Sequence, residues 1–365
     1  MPYWSLYLEG QGFDRAVIGM LASITVMTRI FAPMAWGWLA DRSGQRMRWV
    51  RLATLMECLV WFSIFLLPNT LGHLVVLMFV FSFFQNAILA QFEGVILFWL
   101  GEQREQWYGK VRRWGSLGFI VAVFGLGKLF DVFSIDYLPI LLMLIALFTW
   151  LWSYQIKEPQ LAPAAQKQMR SIVPILKQPQ VWRFFSIEFL LLLSHAPFYS
   201  FYSNYLKDWG YSTGTIGLLW SLGVIAEIIM FGQSRVLLAR FHPRTLIAVC
   251  LILTSLRWAL VAAFPAQLGL QIAAQCIHAF SFGLFHVLAM QLIFREFLPE
   301  QQGRAQALYS TMWGLGVALG SLLAGLYWQA LGGNGVFYAA ALVVLLALVF
   351  LPHRSVVKAQ SALDL

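Results

Sequence analysis

Apolar runs follow one another along almost the whole chain, separated by short polar turns. The pattern predicts helices at about 15–40, 49–67, 73–99, 113–133, 137–155, 181–206, 215–238, 245–263, 269–295, 306–330 and 336–352. A run of about 20 apolar residues is what a bilayer-crossing helix needs, and helices satisfy their own backbone in hydrocarbon. Residues 1–8 read as the end of one further span. The longest polar stretch, 156–180, is broken by Pro159, Pro163, Pro174 and Pro179 and filled with Gln and Lys. It reads as a linker. The expected organisation is an N-terminal bundle over 1–155, a linker over 156–180, a C-terminal bundle over 181–352 and a cytoplasmic tail over 353–365.

The two halves repeat. At an offset of 198, Gly12, Ile18 and Gly19 fall on Gly210, Ile216 and Gly217. Ser5, Tyr7 and Leu8 meet Ser203, Tyr205 and Leu206, and Leu21, Ser23, Val26 and Ile30 meet Leu219, Ser221, Val224 and Ile228. Mid-span, Arg29 falls on Glu227. The same offset applied to a helix starting near Val181 places its counterpart's start about 17 residues before Met1, so an N-terminally truncated reading of a twelve-helix protein is expected. Loss of that wall would leave Arg29 facing lipid.

Composition fixes the class. The chain is 60% hydrophobic and 11% charged, against about 25% charged in a soluble domain. Most of its basic residues fall in alternate loops, among them Arg42, Arg46, Arg48, Lys110, Arg112, Arg113, Arg235, Arg240, Arg244 and Arg295. That asymmetry marks a cytoplasmic face, so the net charge of +9 meets anionic lipid and not nucleic acid. Cys58, Cys250 and Cys276 lie in apolar runs without metal-ligand spacing and read as small core residues. No metal motif, nucleophile elbow or phosphate loop is present, so no enzyme activity and no cofactor are expected. A membrane sensor would need a signalling domain, for which 353–365 is too short.

Charges within the spans are the candidate chemistry, because each costs about 2.5–3.5 kcal/mol on insertion scales unless it is paired or in a water-filled cavity. The ionisable residues in the spans are Arg29, Glu57, Glu93, Glu188, His195, Glu227, Arg257, His278 and His286. Glu57 reads equally as polar glue between helices. Glu188 does too, or it reaches water near its helix end, and His195 and His286 equally suit satisfied core positions. His278, Phe282 and His286 share a helix face, as do Gln85, Leu89 and Glu93. Arg29 either pairs with Glu227 or meets an anionic ligand. Trp4, Tyr199, Tyr202 and Trp220 suit either lipid contact or a cavity that accepts an aromatic ring.

The polar turn from Gly37 to Arg48 carries Gly37 for close helix approach and Gly44 for a tight reversal. Asp41 sits where it caps the next helix or pairs with Arg42, Arg46 or Arg48. This stretch resembles the loop between the second and third helices of major facilitator superfamily transporters, which implies a conformational-switch role for Gly37, Asp41, Arg42, Gly44 and Arg46. Pro2 to Leu8, Tyr108 to Ser116, Trp220 to Glu227, Arg257-Trp258 and Ile277-His278 together resemble the 3-phenylpropionate transporter family of that superfamily. The resemblance implies an all-α membrane fold of two pseudo-symmetric six-helix bundles, here with most of the first helix missing. It also implies proton-coupled import of a small aromatic carboxylate across the inner membrane by a monomer. A more distant resemblance is to lactose permease-type symporters, which would give proton coupling to Glu227, Arg257 and His278. It would place Glu93 and Arg112 at the substrate and favour a sugar or nucleoside. The permease's second carboxylate, beyond the histidine, has no acidic match at Ser281 or Phe282. Arg29, His195 and His286 complete the expected substrate contacts.

Overall fold

Each predicted run becomes a helix, the one backbone solution that needs no partner in hydrocarbon. The protein is represented by a computed structural model that describes residues 2–158 and 171–351; the middle of the linker and the expected tail lie outside them. The first half holds α1 (Trp4–Gly10), α2 (Arg15–Ser43), α3 (Arg46–Leu66), α4 (Leu71–Leu100), α5 (Arg104–Leu129) and α6 (Leu138–Ser153). The second holds α7 (Pro179–Asp208), α8 (Thr213–Arg240), α9 (Pro243–Ala263) and α10 (Leu268–Glu296). A last run breaks at Gly332, where φ is +66°, into α11 (299–331) and α12 (333–346).

Among the described residues, nine helices are long and apolar enough to cross a membrane, that broken run counting as one. α5 is not among them. Lys110, Arg112 and Arg113 make its first half polar, which is why the apolar pattern starts that span at 113 and not at Arg104. Phe62, Phe148, Trp152, Leu326, Leu342 and Val349 point outward. That is a surface suited to lipid, since a soluble protein buries such a belt.

The internal repeat is visible in the backbone. Gly12 and Gly210 both adopt positive φ, +85° and +82°. Two residues on, Asp14 accepts from the Val17 amide and Ser212 from the Thr215 amide, capping α2 and α8 in the same way. The halves meet through glycines that obey the same offset. A Cβ on Gly19 would lie 2.5 Å from the Ser321 carbonyl and 3.0 Å from Gly325 Cα, while one on Gly217 would lie 2.7 Å from the Val123 carbonyl. One on Gly127 would lie 2.6 Å from the Thr213 carbonyl. So α2 crosses α11, and α5 crosses α8, with backbone against backbone.

Polar bonds lock these crossings at one end, the sealed end. Arg15 reaches Glu9 and Asp208, each at 2.8 Å, and lies 4.8 Å over the Trp328 ring. Asn204 donates to the Ser5 carbonyl at 3.1 Å and to the Glu9 carboxylate. Asp131, just past α5, accepts from the Thr213 hydroxyl at 2.6 Å, the Gly214 amide at 2.9 Å and the Ser212 hydroxyl at 3.3 Å. It therefore caps α8 from the opposite half. Burial opposes its charge, but those donors and Lys128 outweigh burial and hold the carboxyl below the usual aspartate range. The latch is thus present when Asp131 is ionised and is lost as the pH falls through its depressed pKa. Asp131→Ala is expected to remove about 1 kcal/mol of sealing, a typical capping contribution. Spin-label distances across this end should then broaden toward an opened population. An unchanged distribution would show that the glycine crossings alone hold the seal.

Toward the other end the halves part. Gly109, Gly115 and Gly118 of α5, Gly232 of α8 and Gly303 of α11 have no atom within 4 Å of an added Cβ, and Trp107 and Trp114 stand exposed. The space between the halves opens here.

The loop after α2 lies at this open end. Gly44 takes φ +66° and caps α2, the expected reversal. Gly37 does not serve close approach: a Cβ there meets nothing within 4 Å, and the tight position is Gly94, which packs against Arg46. Of the two roles open to Asp41, pairing holds: it binds Arg46 at 2.9 Å, and Arg46 also donates to Gln91 at 3.3 Å. The α3 N-terminus is capped instead by Glu158, which accepts from the Met47 and Arg48 amides at 2.9 and 3.1 Å. Arg42 lies 5.3 Å over Trp38.

Candidate functional site

Midway along α8, α9 and α10 the sequence supplies an acid, a guanidinium and an imidazole, and the packing brings them together. Arg257 is fully buried between Phe198 and Trp258, each ring centre 4.3 Å from its guanidinium carbon. It donates from Nη2 to Gln275 at 3.2 Å and from Nη1 to His278 Nδ1 at 2.8 Å. An arginine has no acceptor, so His278 Nδ1 must be the acceptor and its proton sits on Nε2. Nε2 lies 2.6 Å from Glu227 Oε1 and donates to it. The chain Arg257 to His278 to Glu227 therefore carries the arginine's field to the carboxylate through a neutral imidazole. Protonating Glu227 would leave it a carbonyl oxygen for His278 Nε2 but remove the charge that strengthens this bond.

Directly after His278 the helix widens into a π turn, Ala279–Leu284, a feature that recurs at functional sites. Phe282 in that turn stacks between His278 and His286, with centroids 5.7 and 6.1 Å away. His286 Nδ1 is 3.1 Å from the Tyr309 hydroxyl of α11.

Arg29 approaches from the first half. Its guanidinium carbon lies 4.4 Å over the Trp313 ring, and Trp313 packs 5.9 Å from Tyr199. It remains solvent-accessible. The expected alternatives of lipid exposure and pairing with Glu227 both fail: Arg29 faces the second half, and Glu227 is engaged by His278. Among the described residues Arg29 has no ion pair. Glu93 is bound by Arg112, and the Tyr108 hydroxyl lies 3.4 Å from Glu93 and 3.3 Å from Arg112. Arg112 also stands within coulombic reach of His286 across the gap.

Other expected positions lie elsewhere. His195 is fully buried behind the site, with Nδ1 bonded to the Leu191 carbonyl at 2.8 Å and its ring edge-on to Trp258. It touches no open space in this conformation. Tyr202 and Trp220 are packing residues, bonded to Gln271 and Ser203, and Trp4 stacks on Tyr7. Glu188 does not reach water, being 0% exposed. Tyr309 and Trp313 lie outside the set expected from sequence; their i, i+4 spacing on one face of α11 is the available signal. An apolar crevice of about 720 Å³ between Leu176, Trp182, Phe189, Met312 and Phe350 has none of these charges in its lining.

Two halves related by a repeat, a charged midplane between them and a cavity open at one end define a membrane transporter of the alternating-access kind. The chain belongs to the MFS_1-like family, whose model matches residues 1–339. It is 31% identical to a probable 3-phenylpropionic acid transporter of Escherichia coli K12 across 96% of this chain and 92% of that protein. It is 28% identical to a maltose permease of Geobacillus stearothermophilus across 97% of this chain and 90% of that one. A crystal structure of a point mutant of the nucleoside transporter NupG superposes with a TM-score of 0.83 at 18% identity, covering 95% of this chain and 92% of that one.

Proposed function

We propose that this transporter is a proton-coupled symporter that imports a small aromatic carboxylate, of the 3-phenylpropionate type, into the cytoplasm as a monomer. The observation that carries this reading is Arg29: a midplane cation without a carboxylate partner among the described residues, roofed by Trp313 and Tyr199. A guanidinium offers a carboxylate a bidentate fork, and the neighbouring rings suit an apolar ring. The name of the Escherichia coli relative agrees with such a ligand. Proton coupling falls to Glu227, with His278 and Arg257 setting its charge. His286, Arg112 and Glu93 line the approach, and His195 backs the site. The alternative, a sugar or nucleoside, is favoured by the Glu93 and Arg112 pair and by the names of the maltose permease and the nucleoside transporter.

The basic loops at the open end make it the cytoplasmic face of the inner membrane, so this conformation is inward-facing. The α2–α3 loop, with Asp41 bound to Arg46 and α3 capped by Glu158, is the element that shifts as that end closes. An uptake competition panel tests the substrate. Phenylpropionate and close analogues should compete, while the corresponding alcohols should not. Equal competition by acid and alcohol would reject carboxylate recognition, and competition by a sugar or nucleoside alone would establish the alternative.

A further inference from the structure

Glu188 has no part in the mechanism above. It lies on α7, nearer the open end than Glu227. Its side chain is fully enclosed, and neither carboxyl oxygen closes a hydrogen bond. A carboxylate ion held in that way loses its hydration and receives nothing in return, whereas the protonated acid is neutral and escapes that cost. A group that serves only to join helices would be bonded. The titratable groups facing it are Tyr309 of α11, whose hydroxyl is its polar neighbour, and Tyr199 of its own helix. Around them Phe184 and Phe285 close the site with carbon.

A polar route leads out from the Tyr309 hydroxyl, to which Glu188 closes no hydrogen bond in this conformation. Tyr309 is bonded to His286 Nδ1 at 3.1 Å. His286 is only partly buried and lies within coulombic reach of Glu227 and Arg112. Between Glu188 and the central cavity stand a hydroxyl and an imidazole bonded to each other, two side chains that pass a proton without net change of charge.

We propose that Glu188 is a second proton-binding site of the transport cycle, loaded and unloaded from the cavity through His286 and Tyr309. In loading, a proton arrives at His286 Nε2 and the imidazole releases its Nδ1 proton to the Tyr309 oxygen. Tyr309 then passes its own hydroxyl proton to a Glu188 oxygen. Unloading reverses each transfer and restores the starting tautomer, so no second exit is needed. This inference rests on the symport reading.

The test counts protons. Substrate-driven proton flux is measured in proteoliposomes with wild type, Glu188→Gln and Tyr309→Phe, alongside substrate exchange as the check on folding and binding. Wild type should couple substrate to protons. Both variants should keep exchange, and the number of protons moved per substrate should fall by one in each, with a shifted pH profile of uptake. Wild-type proton numbers and pH profile in both variants would overturn the proposal and leave Glu188 as a buried neutral acid. If Glu188→Gln does not fold, Tyr309→Phe alone decides, because it leaves the acid in place and removes only the hydroxyl. Absence of proton movement in wild type would reject the symport reading itself, an outcome distinct from coupling that survives both changes.

Discussion

Glu227→Gln should abolish uphill accumulation driven by a pH gradient and leave exchange of substrate across the membrane largely intact. The amide keeps an oxygen for His278 Nε2, so the bond now 2.6 Å long can persist and Arg257 stays paired through Nδ1. What disappears is the titration. A cycle that moves a proton by loading Glu227 and releasing it against the arginine's field has no step left. Binding and rocking of the halves require only the geometry, which the substitution preserves. Counterflow and gradient-driven uptake measured on the same vesicles separate the two. Normal accumulation by the variant would remove Glu227 from the coupling mechanism.

Arg29→Lys should weaken carboxylate binding about tenfold to a hundredfold, the loss of one charge-assisted hydrogen bond at about 1.5–3 kcal/mol. The ammonium keeps the charge and can still sit over Trp313, but it cannot present two parallel N–H groups. The effect should therefore follow the carboxylate: competition by the acid weakens steeply, while any residual binding of the neutral alcohol hardly changes. Equal losses for both would assign Arg29 to the packing of α2 against α11. Competition curves for the acid and alcohol on wild type and variant supply the comparison.

Much of this architecture is legible because the chain states it twice. Gly12 and Gly210, or Asp14 and Ser212, serve the same local geometry, and local geometry is what short sequence patterns encode. The glycines at the two crossings obey the same offset, but their role depends on which helix lies opposite. Gly37, which has the same residue type and sits in a motif, meets nothing at all. Glu227, Arg257 and His278 can be singled out because charge in hydrocarbon is costly enough to need an explanation. Their order, with the imidazole between acid and guanidinium, depends on the rotation of three helices about their axes. No span pattern contains that phase. Tyr309 and Trp313 stay hidden for a related reason. Hydroxyls and indoles are common in membrane helices, and only the facing charge distinguishes those in the site from those that meet lipid. The polar first half of α5 is missed because hydropathy treats a cavity wall as if it were a loop.

The paired glycine crossings also determine how little movement is needed for access. They fasten the halves at one end only, so they act as the fulcrum of a lever. From Gly127 to Gly109, α5 extends about 27 Å at 1.5 Å per residue. Over that arm a tilt of about 10° moves the far end by roughly 5 Å, more than the thickness of an aromatic ring, by rigid-body rotation alone. Closing the inward cavity as far as an occluded state therefore needs no helix to bend, and the sealing bonds, Arg15 to Asp208 and Asp131 to Thr213, break only when the other end opens. A bulky side chain at Gly127 or Gly325 would act at the short end of the same lever, where a displacement of a few tenths of an ångström is magnified along its length.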